Sequence, residues 1–128
     1  MTESGSLLYG VPFGDTYHFT FTVKLPVVRD TMNGLEATME ECGTTEGPVA
    51  GMFYRAAVMA SALVSLGNIP ADQITPQLLC DGLSDDDFDL IDAQISAIKK
   101  KRMELNPDLP DTEPPSSPSE STDSPSPK

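Results

Sequence analysis

The chain has 128 residues, 38% of them apolar and only 6% aromatic, so whatever core it buries is small. Eight Lys and Arg stand against 20 Asp and Glu, a formal net charge of −12. That balance argues against nucleic-acid binding by phosphate neutralisation and suits a soluble protein whose partner is basic or apolar.

In chain order, LLYGVPF ahead of Gly14-Asp15 is expected to pair, as an irregular edge, with YHFTFTVKL at residues 17–25. There Tyr17, Phe19, Phe21, Val23 and Leu25 alternate with His18, Thr20, Thr22 and Lys24, a period of two that predicts a strand with the first set on one face and His18 on the solvated one. Pro26 closes it. Asp30 or Thr31 is placed to cap a short helix that runs to Cys42 and ends at Gly43, although Asn33-Gly34 weakens the pattern.

Pro48 then opens a longer helical pattern that Gly67 would close. Val49, Met52, Phe53, Ala56, Met59, Ala60, Leu63 and Leu66 follow helical spacing, and the reverse face is Gly51, Ala57, Val58, Ser61, Ala62 and Ser65, with Arg55 the only charge. A helix apolar or small nearly all round belongs at the centre of a domain, where small residues allow close backbone approach. Its length and the Gly47/Gly51 GxxxG also fit a membrane span, but Arg55, the few large aliphatics and the lack of a basic flank or aromatic belt favour the core helix.

Thr75-Pro76 starts a short helix that Gly82 ends. Ser84 then caps the last one, with Asp87 three residues on able to return the bond, Leu83 and Phe88 forming a hydrophobic staple, and the first-turn acids opposing the helix dipole. Losing that cap should cost about 1 kcal/mol. Phe88, Ile91, Ile95 and Ile98 form one stripe, and residues 99–102 put positive charge at the C-terminal end. Residues 106–128 hold seven of the twelve prolines, six serines and five acids, a composition that favours disorder. The fold expected is α+β: residues 1–105 as one small domain, an N-terminal β-hairpin or sheet followed by three or four helices, with 106–128 as a disordered acidic tail.

Little here points to catalysis. His18 stands alone, and no phosphate-loop, zinc-protease or serine-hydrolase motif occurs. Cys42 and Cys80 have no CxxC spacing, indicate no disulfide framework and read as small core residues in a reducing compartment. MTESGSLLYG lacks the features of a secretory signal. Residues 85–89, DDDFD, fit a DDxxD pattern, and Asp85, Asp89 and Asp92 share a helical face that could hold Mg²⁺; at a helix start, capping and a solvated face explain them better. No enzyme activity, metal or cofactor is expected.

The order LPVVRDTMNGLEA, AAVMASALVSLG, NIPADQITPQLL and DGLSDDDFDLIDAQISAIKKKR, over about residues 17–102, resembles the tail assembly chaperones of tailed bacteriophages, especially Mu-like and related phages. The most telling part is IT-P-LL followed by an L-S-x-x-D-F-x-L-I helix. The resemblance implies a non-enzymatic chaperone in the host cytoplasm that coats the tape measure protein during tail morphogenesis and is not retained in the virion. A longer, frameshifted form would engage the tail tube protein. The Lys99-Lys100-Lys101 run fits a slippery codon run or simple charge at a helix end.

Met52, Phe53, Ala56, Met59 and Leu63 are the candidate partner-binding residues, as core or groove lining, with Phe88, Ile91 and Ile95 packed opposite. A homo-oligomer is compatible with this reading; nucleic acid and membrane are not expected partners. Two alternatives remain: an acidic DNA mimic that inhibits a host nucleic-acid-binding protein, and a structural component of the tail or baseplate.

Overall fold

A computed structural model of the chain describes residues 1–108. Strands β1 (Thr2–Phe13) and β2 (Thr16–Lys24) form the expected antiparallel hairpin about Gly14-Asp15. Helices α1 (Val28–Cys42) and α2 (Pro48–Ala62) follow, then strand β3 (Leu63–Leu66), a 3₁₀ turn at Ala71–Gln73, and helices α3 (Pro76–Gly82) and α4 (Asp85–Met103). The sheet order is β1-β2-β3, all antiparallel, so the α+β class holds, with four helices and one strand more than the hairpin. The expected disordered tail lies, from residue 109, outside the described residues.

The core forms where the sheet meets α2 and α4. Leu7, Val11, Phe21 and Val23 from the hairpin meet Ala56, Met59 and Ala60 of α2 and the α4 stripe Phe88, Ile91, Ile95 and Ile98; all are buried, the α4 stripe as its spacing predicts. Val11, Val23, Ile91 and Ile98 are wholly inaccessible. Where α1 packs on α2, a glycine of α1 sets the approach. A Cβ on Gly34 would lie 2.9 Å from Val58 Cγ2, so only glycine lets the two helices sit this near, whereas a Cβ on Gly51 of the GxxxG would meet nothing.

Irregular pairing corrects the strict alternation expected in β2. Phe21 and Val23 point inward, but Tyr17 and Phe19 are exposed and His18 is buried. Ser6 pairs with Thr20 and Val11 with His18, so four β1 residues span the place of one on β2, and the inward face changes phase between His18 and Phe21. His18 is therefore not a solvated histidine: its Nδ1 accepts from the Asn68 amide at 3.1 Å and its Nε2 lies 3.3 Å from the Phe13 carbonyl, which fits a proton on Nε2. A second bulge removes Leu63 and Leu66 from the long helix expected to reach Gly67. Leu66 pairs with Phe21, Ser65 with Thr22 and Leu63 with Val23, which leaves Val64 as the extra residue and buries two leucines three apart in a strand.

At the helix starts, Thr75 Oγ1 accepts from the Leu78 amide and Ser84 Oγ from the Asp87 amide, both at 3.1 Å, as expected. Asp30 is not the N-cap of α1 but its third residue. The helix begins at Val28, and the Asp30 carboxylate reaches back to the Val27 amide at 2.8 Å. Gly43 ends α1, its amide bonded to the Met39 carbonyl.

Asp87 departs furthest from expectation. Its carboxylate does not close a capping box on Ser84. It accepts from the amides of Leu8 (2.7 Å), Tyr9 (3.0 Å) and Gly10 (3.1 Å), the β1 residues that the bulge takes out of register with β2. Asp87 is fully buried, so the acid run at the head of α4 is not simply a solvated face; Asp85, Asp89 and Asp92 are exposed as expected.

Two stability predictions follow from these contacts. Asp87→Ala leaves three inward amides without their acceptor and should cost about 3–5 kcal/mol in urea unfolding, against about 1 kcal/mol for Ser84→Ala, which removes only the cap. Gly67 has φ +54°, and a Cβ there would sit 2.4 Å from the His18 ring. Because the His18 Cβ is met as closely as its ring, Gly67→Ala should lose about 2–4 kcal/mol, with part of it recovered only when His18→Gly is added, measured as a double-mutant cycle.

Candidate functional site

The end of α1, the 43–47 loop and the start of α2 enclose, with α3, an open cleft of about 860 Å³. Pro48 at the first position of α2 needs no amide partner, and the loop before it is drawn in by the Glu46 amide bonding Thr44 Oγ1 at 3.1 Å. α3 lies alongside the end of α1, with Gln77 Nε2 3.4 Å from Glu41 Oε1. The cleft is lined by Ala50, Val49, Met52, Phe53, Cys42 and Cys80, with Glu41 and Glu46 among its polar members. Met52 and Cys80 also line a separate recess of about 200 Å³ formed with Ala56, Leu79, Leu83 and Phe88, with Asp85 as its charged residue. Every charged residue lining the two hollows is an acid.

Of the five residues selected from the sequence, Met52 is 42% exposed and lines both hollows. Phe53 and Ala56 are buried, and each lines one of them. Met59 is buried and borders a separate groove between α2 and α4, and Leu63 is a buried strand residue. Phe88 faces Met52 and Ala56 across the recess, Ile95 borders the α2–α4 groove, and Ile91 is inside the core. Arg55, the one charge in α2, stacks over the Phe88 ring 4.9 Å from its centroid and so ties α2 to α4.

The sequence did not point to Val49, 77% exposed at the mouth, nor to the two cysteines. Neither is the small core residue expected, since Cys42 is half-buried and Cys80 exposed. An apolar residue directly after a helix-starting proline, with no staple partner, was the available signal for Val49. Desolvation raises the Cys80 thiol above its ordinary value, and Asp81, Glu41 and Cys42 raise it further.

The cleft therefore offers a ligand apolar surface rimmed by acids, with the Arg55 guanidinium 3.9 Å from the Met52 sulfur at its inner end. Among the described residues, no group of three or more His, Cys, Asp or Glu side chains is arranged to hold a metal ion, and no helix is long and apolar enough to cross a membrane. Compared with models of known protein families, curated protein sequences and solved structures, the chain matches none.

Because the thiolate is the reacting form and acids oppose its formation, alkylation of Cys80 should be slow at neutral pH. The rate should climb about tenfold per pH unit until the thiol ionises, above the ordinary cysteine range, and Asp81→Asn should speed it at fixed pH. Mass spectrometry of iodoacetamide labelling checks both expectations.

Proposed function

We propose that this chain is a tail assembly chaperone of a tailed bacteriophage, a non-enzymatic protein that holds apolar helical segments of the tape measure protein in the host cytoplasm until tail-tube subunits enclose them. The observation that carries this reading is the acid-rimmed apolar cleft, open to solvent and walled by Val49, Met52 and Phe53. A methionine at the mouth suits varied helical segments, because its unbranched thioether adapts to differently shaped apolar faces. The surrounding acids favour segments that also carry Lys or Arg, and they keep the loaded complex soluble. The order of sequence segments that resembles this family supports the same assignment.

The DNA-mimic alternative has less support. Two of the acids, Asp30 and Asp87, are spent inside the fold on backbone amides, whereas a phosphate-like array needs carboxylates ranged over one surface.

The test is co-expression with the long helical protein encoded just downstream in the same gene cluster, followed by solubility and pull-down. The wild-type chain should bring that protein into the soluble fraction and co-purify with it. Met52→Asp and Val49→Asp, both at exposed positions, should leave the circular dichroism unchanged yet weaken co-purification about tenfold or more. A partner that stays insoluble beside the wild-type chain would overturn the assignment.

A further inference from the structure

Helix α1 has two faces that the body of the protein treats differently. Asp30, Gly34 and Thr38 are buried, and Gly34 meets Tyr54 and Val58 of α2. Val28, Met32, Leu35 and Met39 are 75%, 52%, 43% and 50% exposed. At 100° per residue these four fall within an arc of about 60°, a continuous apolar stripe along nearly the whole helix. Four large side chains in one line on a 15-residue helix differ from scattered surface apolar residues.

The charges beside the stripe indicate its occupant. Arg29, Glu36 and Glu40 lie on the flank away from Thr31 and Thr38, and Arg29 is the only basic residue in α1. If two copies of α1 lie antiparallel, Val28 faces Met39 of the other copy and Met32 faces Leu35. Both pairs share one midpoint, between residues 33 and 34, so a single register satisfies the whole stripe. A two-fold axis at that midpoint also keeps the charged flanks on the same side. Arg29 then falls between Glu36 and Glu40 of the facing helix, about 3 Å along the axis from each. The one cation of the helix meets two anions, and the arrangement occurs twice by symmetry.

We propose that the Val28–Met32–Leu35–Met39 face of α1 is a self-association surface on which a second copy of this chain docks antiparallel. The surface is separate from the cleft through Val49 and Met52, so dimer formation does not depend on the function proposed above. The pairing buries an apolar stripe on a strongly acidic chain by using the only attractive charge available on that helix.

Sedimentation velocity of the full chain over a range of concentrations is the first test. A dimer is expected, with Leu35→Glu and Met32→Asp sedimenting as monomers of unchanged circular dichroism. Arg29→Glu should also give a monomer, and adding Glu36→Arg with Glu40→Arg should restore the dimer. The register is read by cross-linking in a Cys42→Ser, Cys80→Ser background. Val28→Cys together with Met39→Cys should yield a covalent dimer under mild oxidation, and neither cysteine alone should. A monomer at every concentration would overturn the proposal, as would single-cysteine variants that cross-link as readily as the pair.

Discussion

A single buried carboxylate joins the two ends of this fold. Asp87 stands in the first turn of α4, donates its own amide to Ser84 Oγ, and accepts three amides from β1 that the adjacent strand does not pair. A buried charge is tolerated when hydrogen bonds replace its hydration, and three backbone donors at 2.7–3.1 Å do so. The position of α4 on the sheet follows from that contact. Once Asp87 is seated, Phe88, Ile91, Ile95 and Ile98 fall in line over Leu7, Val11 and Phe21. The bulge in β1 and the capped start of α4 are thus two halves of one device: the bulge turns amides away from the ladder, and the helix brings the acceptor.

Local chemistry was legible in the sequence where it depended on neighbouring residues. The caps at Thr75 and Ser84, Pro48 at a helix start, Gly43 after α1 and the four-residue stripe of α4 all follow from spacing within one or two turns. What failed was periodicity interrupted by an extra residue. In β2 a change of phase sends His18 inward and Phe19 outward; in β3 the bulge at Val64 gives two inward leucines the spacing of a helix. Nothing in the amino-acid pattern separates those leucines from a further helical turn, because their partners, Val23 for Leu63 and Phe21 for Leu66, lie on a strand far earlier in the chain. Asp87 failed for a related reason: a residue three after a serine cap has a local partner on paper, while its actual partners lie 77–79 residues away.

The candidate site was half visible for the same reasons. Met52 and Phe53 stand in the cleft because the start of α2, with the end of α1 and α3, walls an open hollow rather than packing into the sheet core. Ala56 and Met59, one and two turns further on, are drawn into the interior by the sheet and α4, and Leu63 lies past the helix end, in β3. Helical spacing gave the stripe as far as Met59, but neither the point where it passes from surface to core nor the point where the helix ends. The buried end fixes the helix, and the other end leaves Met52 and Val49 exposed. The proposed dimer face adds a second contact zone on the preceding helix, so α1 and α2 would each use one side to hold the other and another side for an outside contact.

The distance along the chain between Asp87 and the amides it binds has a kinetic consequence. During synthesis the hairpin leaves the ribosome ahead of α4, with the amides of Leu8, Tyr9 and Gly10 turned away from β2 and still exposed to water. They remain so until the residues of α4 have been added, and closing a loop of that span is entropically slow compared with forming a turn or a helix. The early chain therefore carries an incomplete sheet and an uncovered apolar face until α4 follows. That helix acts as the plug that completes the sheet, and cooperative stability should arrive abruptly, late, and from the C-terminal side of the described domain.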